Sequence, residues 1–436
     1  MKKIFLITAL VTVFVLSAFS GVLDYIPANN KALVYVNNLA ESYAELKTVP
    51  SFDLLLVSGV GLEGYAMMYS ELLTSGFDID PEIFWSSFET DIGFFIQEPS
   101  DNVYSTGIVF GPMKDVKTFY DDLNILVLET LRELQITFTP IFKGDYLILV
   151  QDDVFYKSSK LGVSIENKPF ENGIYYEINS SDIKNTGYFY VKDNELVGKS
   201  TGSVNEDEVA LSKKADKSDS QFLGAIYGNT SFLPKDLSRF SEYIKIFADY
   251  NLAESLLKSS SNAEINVGIE SEEYETDADF YFFSMYLKIP SYIKINTEST
   301  VSDVLPILEE NDAEYVNLGD NYIKFNVKTD GENDSQNISK DFYLWKDGNN
   351  IFISSMDKEA YNKALSEKEK VSDNKVFKYL SGKIGTADMS TLFINFSEIF
   401  KNIDYIAESF TDDNYGMLLN VNYLGEGRIE TEFIIH

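Results

Sequence analysis

The clearest periodicity in the chain runs from Val116 to Leu134, where Val116, Phe119, Tyr120, Leu123, Leu126, Val127, Leu131 and Leu134 recur at spacings of three and four. That spacing places all eight on one stripe of an α-helix, and a stripe so apolar predicts a helix lying on a sheet. Short apolar or alternating runs flank it. Asp91–Gln97 and Thr106–Phe110 precede it, and residues near Ile136–Thr139 and Tyr146–Val150 follow, the last two separated by Gly144-Asp145. These predict strands. Upstream, Ala32–Val36 reads as a strand, Asn37-Asn38 as an N-cap and Leu39–Lys47 as a helix, followed by helical stretches at Leu62–Thr74 and Pro81–Phe88.

A similar order returns in the second half. Strands predicted at Glu264–Glu270 and Phe280–Ile289 precede a helix carrying Val301, Val304, Leu305 and Leu308; Gly319-Asp320 then opens a strand at Tyr322–Val327, and Asp330–Ser339 is a polar loop. The string Phe189-Tyr190-Val191-Lys192-Asp193 also recurs, slightly expanded, as Phe342-Tyr343-Leu344-Trp345-Lys346-Asp347. Each copy is followed by a polar turn, a short strand, an Ala-Leu-Ser step (Ala210 to Ser212, Ala364 to Ser366) and a Ser-Asp pair (Ser218-Asp219, Ser372-Asp373). The copies lie ~154 residues apart, a domain's length and not a solenoid turn. Asp347-Gly348-Asn349 has hairpin-turn chemistry.

The strand, Asn, helix step recurs at Leu392–Ile394 with Asn395, before a helix bearing Ile399, Phe400, Ile403, Ile406, Ala407 and Phe410. A looser version is Ser231–Leu233 with Pro234, before Leu237, Phe240, Ile244, Phe247 and Ala248. After the third start come only two strands, Tyr415–Tyr423 and Arg428–Ile435, joined by Gly425-Glu426-Gly427. A lone ribbon is marginal in water, so this hairpin should complete a sheet begun elsewhere. We therefore expect an α+β protein of two duplicated modules, each mostly antiparallel sheet with packed helices, completed by a C-terminal β-hairpin. The expected divisions are a signal peptide at 1–20, a first module at 21–222, a second at 223–385 and a partial third repeat at 386–436.

Composition adds location. Lys2 and Lys3, the apolar run Ile4–Phe19, and small residues at Ala18 and Ser20 form a leader, with cleavage expected near Ser20 and an uncleaved anchor as the alternative. Zero cysteines remove disulfides, a lipidated N-terminal Cys and thiolate chemistry. A hydrophobic content of 44% with 14% aromatics excludes a disordered chain, and 28 Tyr with 32 Phe favour strands. The formal charge of −33 argues against nucleic acid and anionic lipid surfaces, whose phosphates need Lys and Arg. It leaves self-repulsion and solvation, or attraction of divalent cations or a basic partner.

Motifs with chemistry are few. The only histidine is His436, at the chain's last position, where solvation and fraying are expected. Gly198-Lys199-Ser200-Thr201-Gly202 matches the G-x-S-x-G elbow, which needs a tight strand-to-helix turn and a histidine base. It falls instead on the return strand of the Phe189 hairpin, and the second copy has Ser354-Ser355 without glycines, so we read it as scaffold. SxxK at Ser181, Ser255, Ser291 and Ser355, and SDN at Ser100 and Ser372, lack the KTG that β-lactamase-type chemistry needs. Asp330, Glu332 and Asp334, like Asp412, Asn414 and Gly416, alternate as Ca²⁺ loops do without the EF-hand's glycine and bidentate glutamate. They read as solvated loops. Paired carboxylates are the one catalytic chemistry the composition permits, but 69 acidic residues single out no pair. Trp85 and Trp345 have the chemistry to stack on sugars, though Trp345 extends a hairpin strand and reads as core. No catalytic, cofactor-binding or metal-binding residue is assigned, and no cofactor is expected.

Leu23-Asp24-Tyr25-Ile26-Pro27-Ala28-Asn29, followed by a strand and an Asn-capped helix, resembles the opening of an uncharacterised family of exported bacterial proteins in which a leader and an LPA(N/D) step start tandem α+β modules. The likeness continues through Phe77-Asp78-Ile79-Asp80-Pro81-Glu82 and a Gly-containing strand at Ile92–Ile96. It implies a fold and export, and carries no site residue. The expected function is a non-enzymatic, exported (periplasmic or secreted) cell-envelope protein with a structural or binding role. A periplasmic carrier of a lipid or other apolar ligand, and a carboxylate-dependent hydrolase, are the alternatives. The expected partner is correspondingly an envelope protein of unknown identity or an apolar small molecule.

Overall fold

Turn chemistry and alternation account for most of the strands in the computed structural model, which describes residues 21–436 other than 59–60, 78, 80–83, 85–87, 102, 166–168, 180–183, 204–208, 212–219, 235–259, 272–286, 311–312, 329–338 and 403–413. The leader, the helix after Pro234, most of the Phe280 strand, the loop from Asp330 and the second half of the helix after Asn395 lie outside the described residues. The described chain is α+β. It divides into two compact units, Met1–Gly202 and Ser203–His436.

Unit 1 contains β1 (Ala32–Asn37), β2 (Asp91–Ser100), β3 (Val103–Gly111), β4 (Thr139–Lys143), β5 (Tyr146–Val150), β6 (Gly173–Asn179), β7 (Lys184–Lys192) and β8 (Glu195–Ser203). They lie in the order β4-β5-β3-β2-β1-β6-β7-β8, with antiparallel neighbours throughout. Asp193 and Asn194, both at positive φ, turn β7 into β8. Asn38 caps α1 (Leu39–Leu46), accepting the Glu41 amide on its side chain as its spacing predicts. After α2 (Leu62–Ser75) and the β2–β3 hairpin, α3 (Val116–Leu123) runs through a π-helical turn (Asn124–Leu128) into α4 (Glu129–Glu133).

That turn corrects the predicted stripe. Up to Leu123 the buried positions are those expected, but the wide turn inserts one residue, so Leu128 is buried while Val127 is 41% and Leu134 66% exposed. Phe119, Leu123 and Leu128 pack on Phe110, Leu147 and Leu149. On the other face Val22 and Ile26, from the turn before β1, and Tyr156, from α5 (Asp153–Ser158), pack on Leu33, Phe95, Val109 and Ile148. β5 is thus buried on both faces, which is why it reads as an unbroken apolar run. Each such aliphatic or aromatic side chain contributes about 1.5–3 kcal/mol.

Unit 2 contains β9 (Val209–Leu211), β10 (Ile226–Thr230), β11 (Phe232–Pro234), β12 (Ser260–Val267), β13 (Glu270–Ser271), β14 (Leu287–Lys288), β15 (Ser291–Thr297), β16 (Tyr315–Gly319), β17 (Tyr322–Lys328), β18 (Ser339–Asp347), β19 (Asn350–Ser354), β20 (Ser390–Asn395), β21 (Gly416–Gly425) and β22 (Arg428–Ile435). β9 with β11, and β13 with β14, are small ribbons. The rest form an antiparallel sheet in the order β16-β17-β18-β19-β15-β12-β10-β20-β21-β22. The terminal hairpin therefore completes the sheet of unit 2 through β20.

Val301, Val304 and Leu308 of α6 (Val301–Glu310) pack on Ile295, Phe325, Leu344 and Ile351. On the opposite face Tyr292, Trp345 and Phe352 lie under Tyr361 of α7 (Lys358–Ser366). α8 (Lys375–Ile384) and α9 (Phe396–Lys401) start at the capping side chains of Asn374 and Asn395.

The repeated strings do not occupy matching places. In unit 1 the Phe189 strand, β7, lies two places from β1 on the β6 side. The Phe342 strand, β18, lies on the other flank of β10, beyond β12, β15 and β19. Their likeness is local, since both strands carry aromatics into a tight turn. Other features do match. With β16–β17 set aside, both main sheets place their strands, ranked by chain position, in the order fourth, fifth, third, second, first, sixth, seventh, eighth. After the fifth strand each unit has a helix capped by an aspartate, Asp152 or Asp357, with a sheet-facing tyrosine four residues on, Tyr156 or Tyr361. An isolated bridge then joins the segment beyond that helix to the segment before the first strand, Pro27 with Leu161 and Gln221 with Lys370.

Candidate functional site

The most concentrated polar chemistry in unit 2 is buried. Asn262, Glu264 and Asn266 alternate along β12 and share one face. That polar face is the buried one: Glu264 is 4% and Asn266 0% exposed, whereas Ile265 is 39% exposed. Glu264 accepts hydrogen bonds from the Tyr292 hydroxyl (2.6 Å) and the Ser220 hydroxyl (2.7 Å), and its cross-strand neighbour Lys294 lies 3.9 Å away. Asn266 accepts the Leu223 amide and donates to the Gln221 carbonyl and the Tyr292 hydroxyl. Burial first, then the Glu264 charge, pushes the hydroxyls of Tyr292, Tyr227 and Tyr361 far above the ordinary tyrosine range.

Unit 1 has a related node. Tyr35 donates to Asp91 and to the Asn37 side chain, both at 2.7 Å, and the Asn38 amide donates to the other Asp91 oxygen at 2.9 Å. Burial and then the hydrogen bond to Asp91 raise the Tyr35 hydroxyl, and burial pushes Tyr175 up to about 12. In both nodes a carboxylate gathers donors from separate segments, two hydroxyls at Glu264 and a hydroxyl and an amide at Asp91.

The sequence motifs resolve into structural parts. Ser200 lies buried within β8, not on a strand-to-helix turn. The nearby glycines allow close approach: a Cβ at Gly187 would fall 2.6 Å from the Ser200 Cβ, and one at Gly202 3.0 Å from the Lys184 carbonyl. Ser291 and Lys294 stand three apart on a strand and so point to opposite faces, and the Ser355 hydroxyl accepts from the Ser291 amide. Ser372-Asp373-Asn374 ends in the cap of α8. Gly416 opens β21, where a Cβ would meet Val376 at 2.7 Å. Trp345 is core, stacked on Phe352 at 5.1 Å. His436 is tied down, its amide donating to the Gly416 carbonyl and its ring edge-on to Tyr379. Ser181, Ser255, Trp85, the acidic loop from Asp330 and Asp412 lie outside the described residues. Among the described residues no group of three or more acidic or histidine side chains is arranged to hold a metal, and no helix is long and apolar enough to cross a membrane.

Two surface features of unit 2 remain. One is a shallow apolar hollow of about 280 Å³ over Gly228, Ala263, Ile265, Ile293 and Leu392. The other is a groove of about 680 Å³ between the β16–β17 hairpin, β18 and the start of α7. The Tyr322, Lys324 and Tyr343 side chains share the sheet face that floors it, a consequence of the register pairing Lys324 with Tyr343. Sequence reading missed this groove because its residues come from four elements, and the motifs that touch it, the Phe342 string through Tyr343 and the Ser355 SxxK through Lys358, do not show that they meet. No family model, curated protein or solved structure matches the chain.

Proposed function

We propose that this chain is an exported, non-enzymatic cell-envelope protein with a binding role, built from two copies of one α+β module. The observation that carries the non-enzymatic reading is the use made of the buried carboxylates. Glu264 and Asp91, two acids in direct contact with a tyrosine hydroxyl, have both oxygens engaged by internal donors. A general acid or base needs a lone pair or proton facing a substrate.

Duplication is supported by the matching strand order, the aspartate-capped helix with its tyrosine, and the isolated bridge; it sets β1 against β10 and the β7–β8 hairpin against β21–β22. In this register the Asn395 start, on β20, is the counterpart of β6 and not a third module. Export rests on the Lys2-Lys3 leader and the absence of cysteine, and kinship with the exported tandem-module family rests on the residues from Leu23 to Asn29.

Cell fractionation with mass determination tests location: a mature chain starting near Gly21 in the envelope fraction is expected, and full-length protein in the cytosol would sink the export reading. Turnover in a substrate screen, abolished by one Asp or Glu substitution, would sink the non-enzymatic one. A second reading, a carrier of an apolar ligand, is favoured by the hollow over Ile265 and Ile293; mass spectrometry of the purified protein without a copurified lipid would count against it.

A further inference from the structure

We propose that the groove floored by Tyr322 and Tyr343 binds an uncharged saccharide, an inference that rests on the binding role and names its ligand class. The groove is built by what unit 2 has and unit 1 lacks. Leu318, Tyr322 and Lys324 come from the β16–β17 hairpin, the one element of the main sheet without a counterpart in the strand order of unit 1. A pair of strands added at the sheet edge gives Ile323 and Phe325 to the core on one face and a new surface on the other, a binding site placed on a rigid scaffold.

Its chemistry selects the ligand. The Tyr322 and Tyr343 rings lie 6.3 Å apart at 35° to each other, and both line the groove. Aromatic faces carry partial negative charge and attract the weakly positive C–H groups of a pyranose ring. Polar groups of several kinds border them: Lys324, with its ammonium 5.9 Å from the Tyr343 ring centre and bonded to Asp341 at 2.6 Å, and Lys358, Glu359 and Asn362 on α7. Hydrogen bonding to Asp341 holds the Lys324 ammonium above its ordinary pKa, so it stays a donor. Asp357 spends one oxygen capping α7 and the Tyr322 hydroxyl accepts the Lys358 amide at 3.3 Å, which fixes the wall against the floor.

The lining has two lysines and two carboxylates on a chain of formal charge −33. That local balance gives no grip on a polyanion and little on a polycation, whereas mixed donors and acceptors beside aromatic faces suit hydroxyls on a ring.

The test is titration of the full chain, followed by NMR or calorimetry, with tri- to hexasaccharides of glucose and of N-acetylglucosamine, and with a polygalacturonate fragment and a Lys-rich peptide as charged probes. A neutral oligosaccharide should bind, and Tyr343→Ala should weaken it about tenfold, the effect of losing one ring contact of about 1.4 kcal/mol. Asn362→Ala, at an exposed position that leaves folding intact, should weaken it severalfold. Failure of every neutral oligosaccharide to bind at millimolar concentration, or binding unmoved by both variants, overturns the proposal. Preferential binding of the peptide at this groove would overturn the saccharide assignment and leave the binding role standing, while detectable glycoside cleavage would instead overturn the non-enzymatic reading.

Discussion

The two units solve one packing problem by opposite chemistry. Before the first strand of each runs a lead segment that crosses the sheet opposite a tyrosine, Tyr35 or Tyr227. In unit 1 the position paired with that tyrosine is Gly93, and the lead segment sits directly on it: a Cβ there would lie 2.6 Å from Val22 and 2.7 Å from Ile26. In unit 2 the paired position is Asn266, whose amide reaches the lead segment and bonds Gln221 and Leu223. Close apolar contact and a satisfied buried amide are thus interchangeable as clamps, provided each is complete. The carboxylates next along, Asp91 and Glu264, differ in the same sense, the second being more deeply buried and held by two hydroxyls.

Glu264→Leu should cost the most, about 3 kcal/mol, because the buried Tyr292 hydroxyl and the Ser220 hydroxyl both lose their acceptor. Asp91→Leu, at a half-buried site, should cost about 1–2 kcal/mol. Amide exchange measured in each unit along a denaturant titration would resolve them. Equal losses would mean that depth of burial does not separate the nodes.

Exchanging the clamps is the next test. Gly93→Asn should destabilise unit 1 by about 1–3 kcal/mol through overpacking, and Asn266→Gly should destabilise unit 2 by a similar ~1–3 kcal/mol by leaving the Leu223 amide and Gln221 carbonyl unpaired. A neutral result in either would break the comparison.

Alkaline pH probes both units together. The hydroxyls of Tyr35, Tyr156, Tyr227, Tyr292 and Tyr361 are raised by burial first, so they stay protonated in the folded chain where the unfolded chain ionises. The stability they give is complete below the unfolded tyrosine value of ~10 and is lost as pH climbs past it toward the folded values, which for Tyr175 is about 12. Melting temperature should fall above that pH, less steeply in Tyr292→Phe. A flat profile would show that these rings are more hydrated than their burial implies.

The smallest contrast lies on the capped helices. Tyr156 donates to the Tyr25 carbonyl at 2.8 Å, so Tyr156→Phe should cost about 1 kcal/mol. Tyr361 contributes ring packing on Tyr292, Trp345 and Phe352, so Tyr361→Phe should stay within about 0.5 kcal/mol.

Much of this architecture was legible in the residues. Asn38 and Asn395 sit where capping needs them, and Val116, Phe119 and Leu123 carry the same spacing as Val301, Val304 and Leu308. Other parts were not. Which face of β12 is buried depends on what crosses it, and that is the lead segment, whose Leu223 amide and Gln221 carbonyl bond Asn266. The π-helical turn was invisible because a one-residue insertion leaves the hydrophobic count unchanged and only shifts its phase. The Phe189 and Phe342 strings misled for a plainer reason: hairpins of similar burial converge on similar letters, and register in a sheet is set by partners far away in sequence. The Tyr322 groove follows from such a register and was equally out of reach.

The isolated bridges carry a consequence for the order of events in folding. Ala28 donates its amide to the Lys160 carbonyl and Phe222 to the Glu369 carbonyl, so each unit's opening segment is fastened by residues well over a hundred positions later. During synthesis that segment must wait for its partner, and closing so long a loop is slow. Pulse-labelling exchange during refolding should find the Ala28 and Phe222 amides protected late, after the β2–β3 and β21–β22 hairpins. In each unit the opening stretch would then be among the last to find its place.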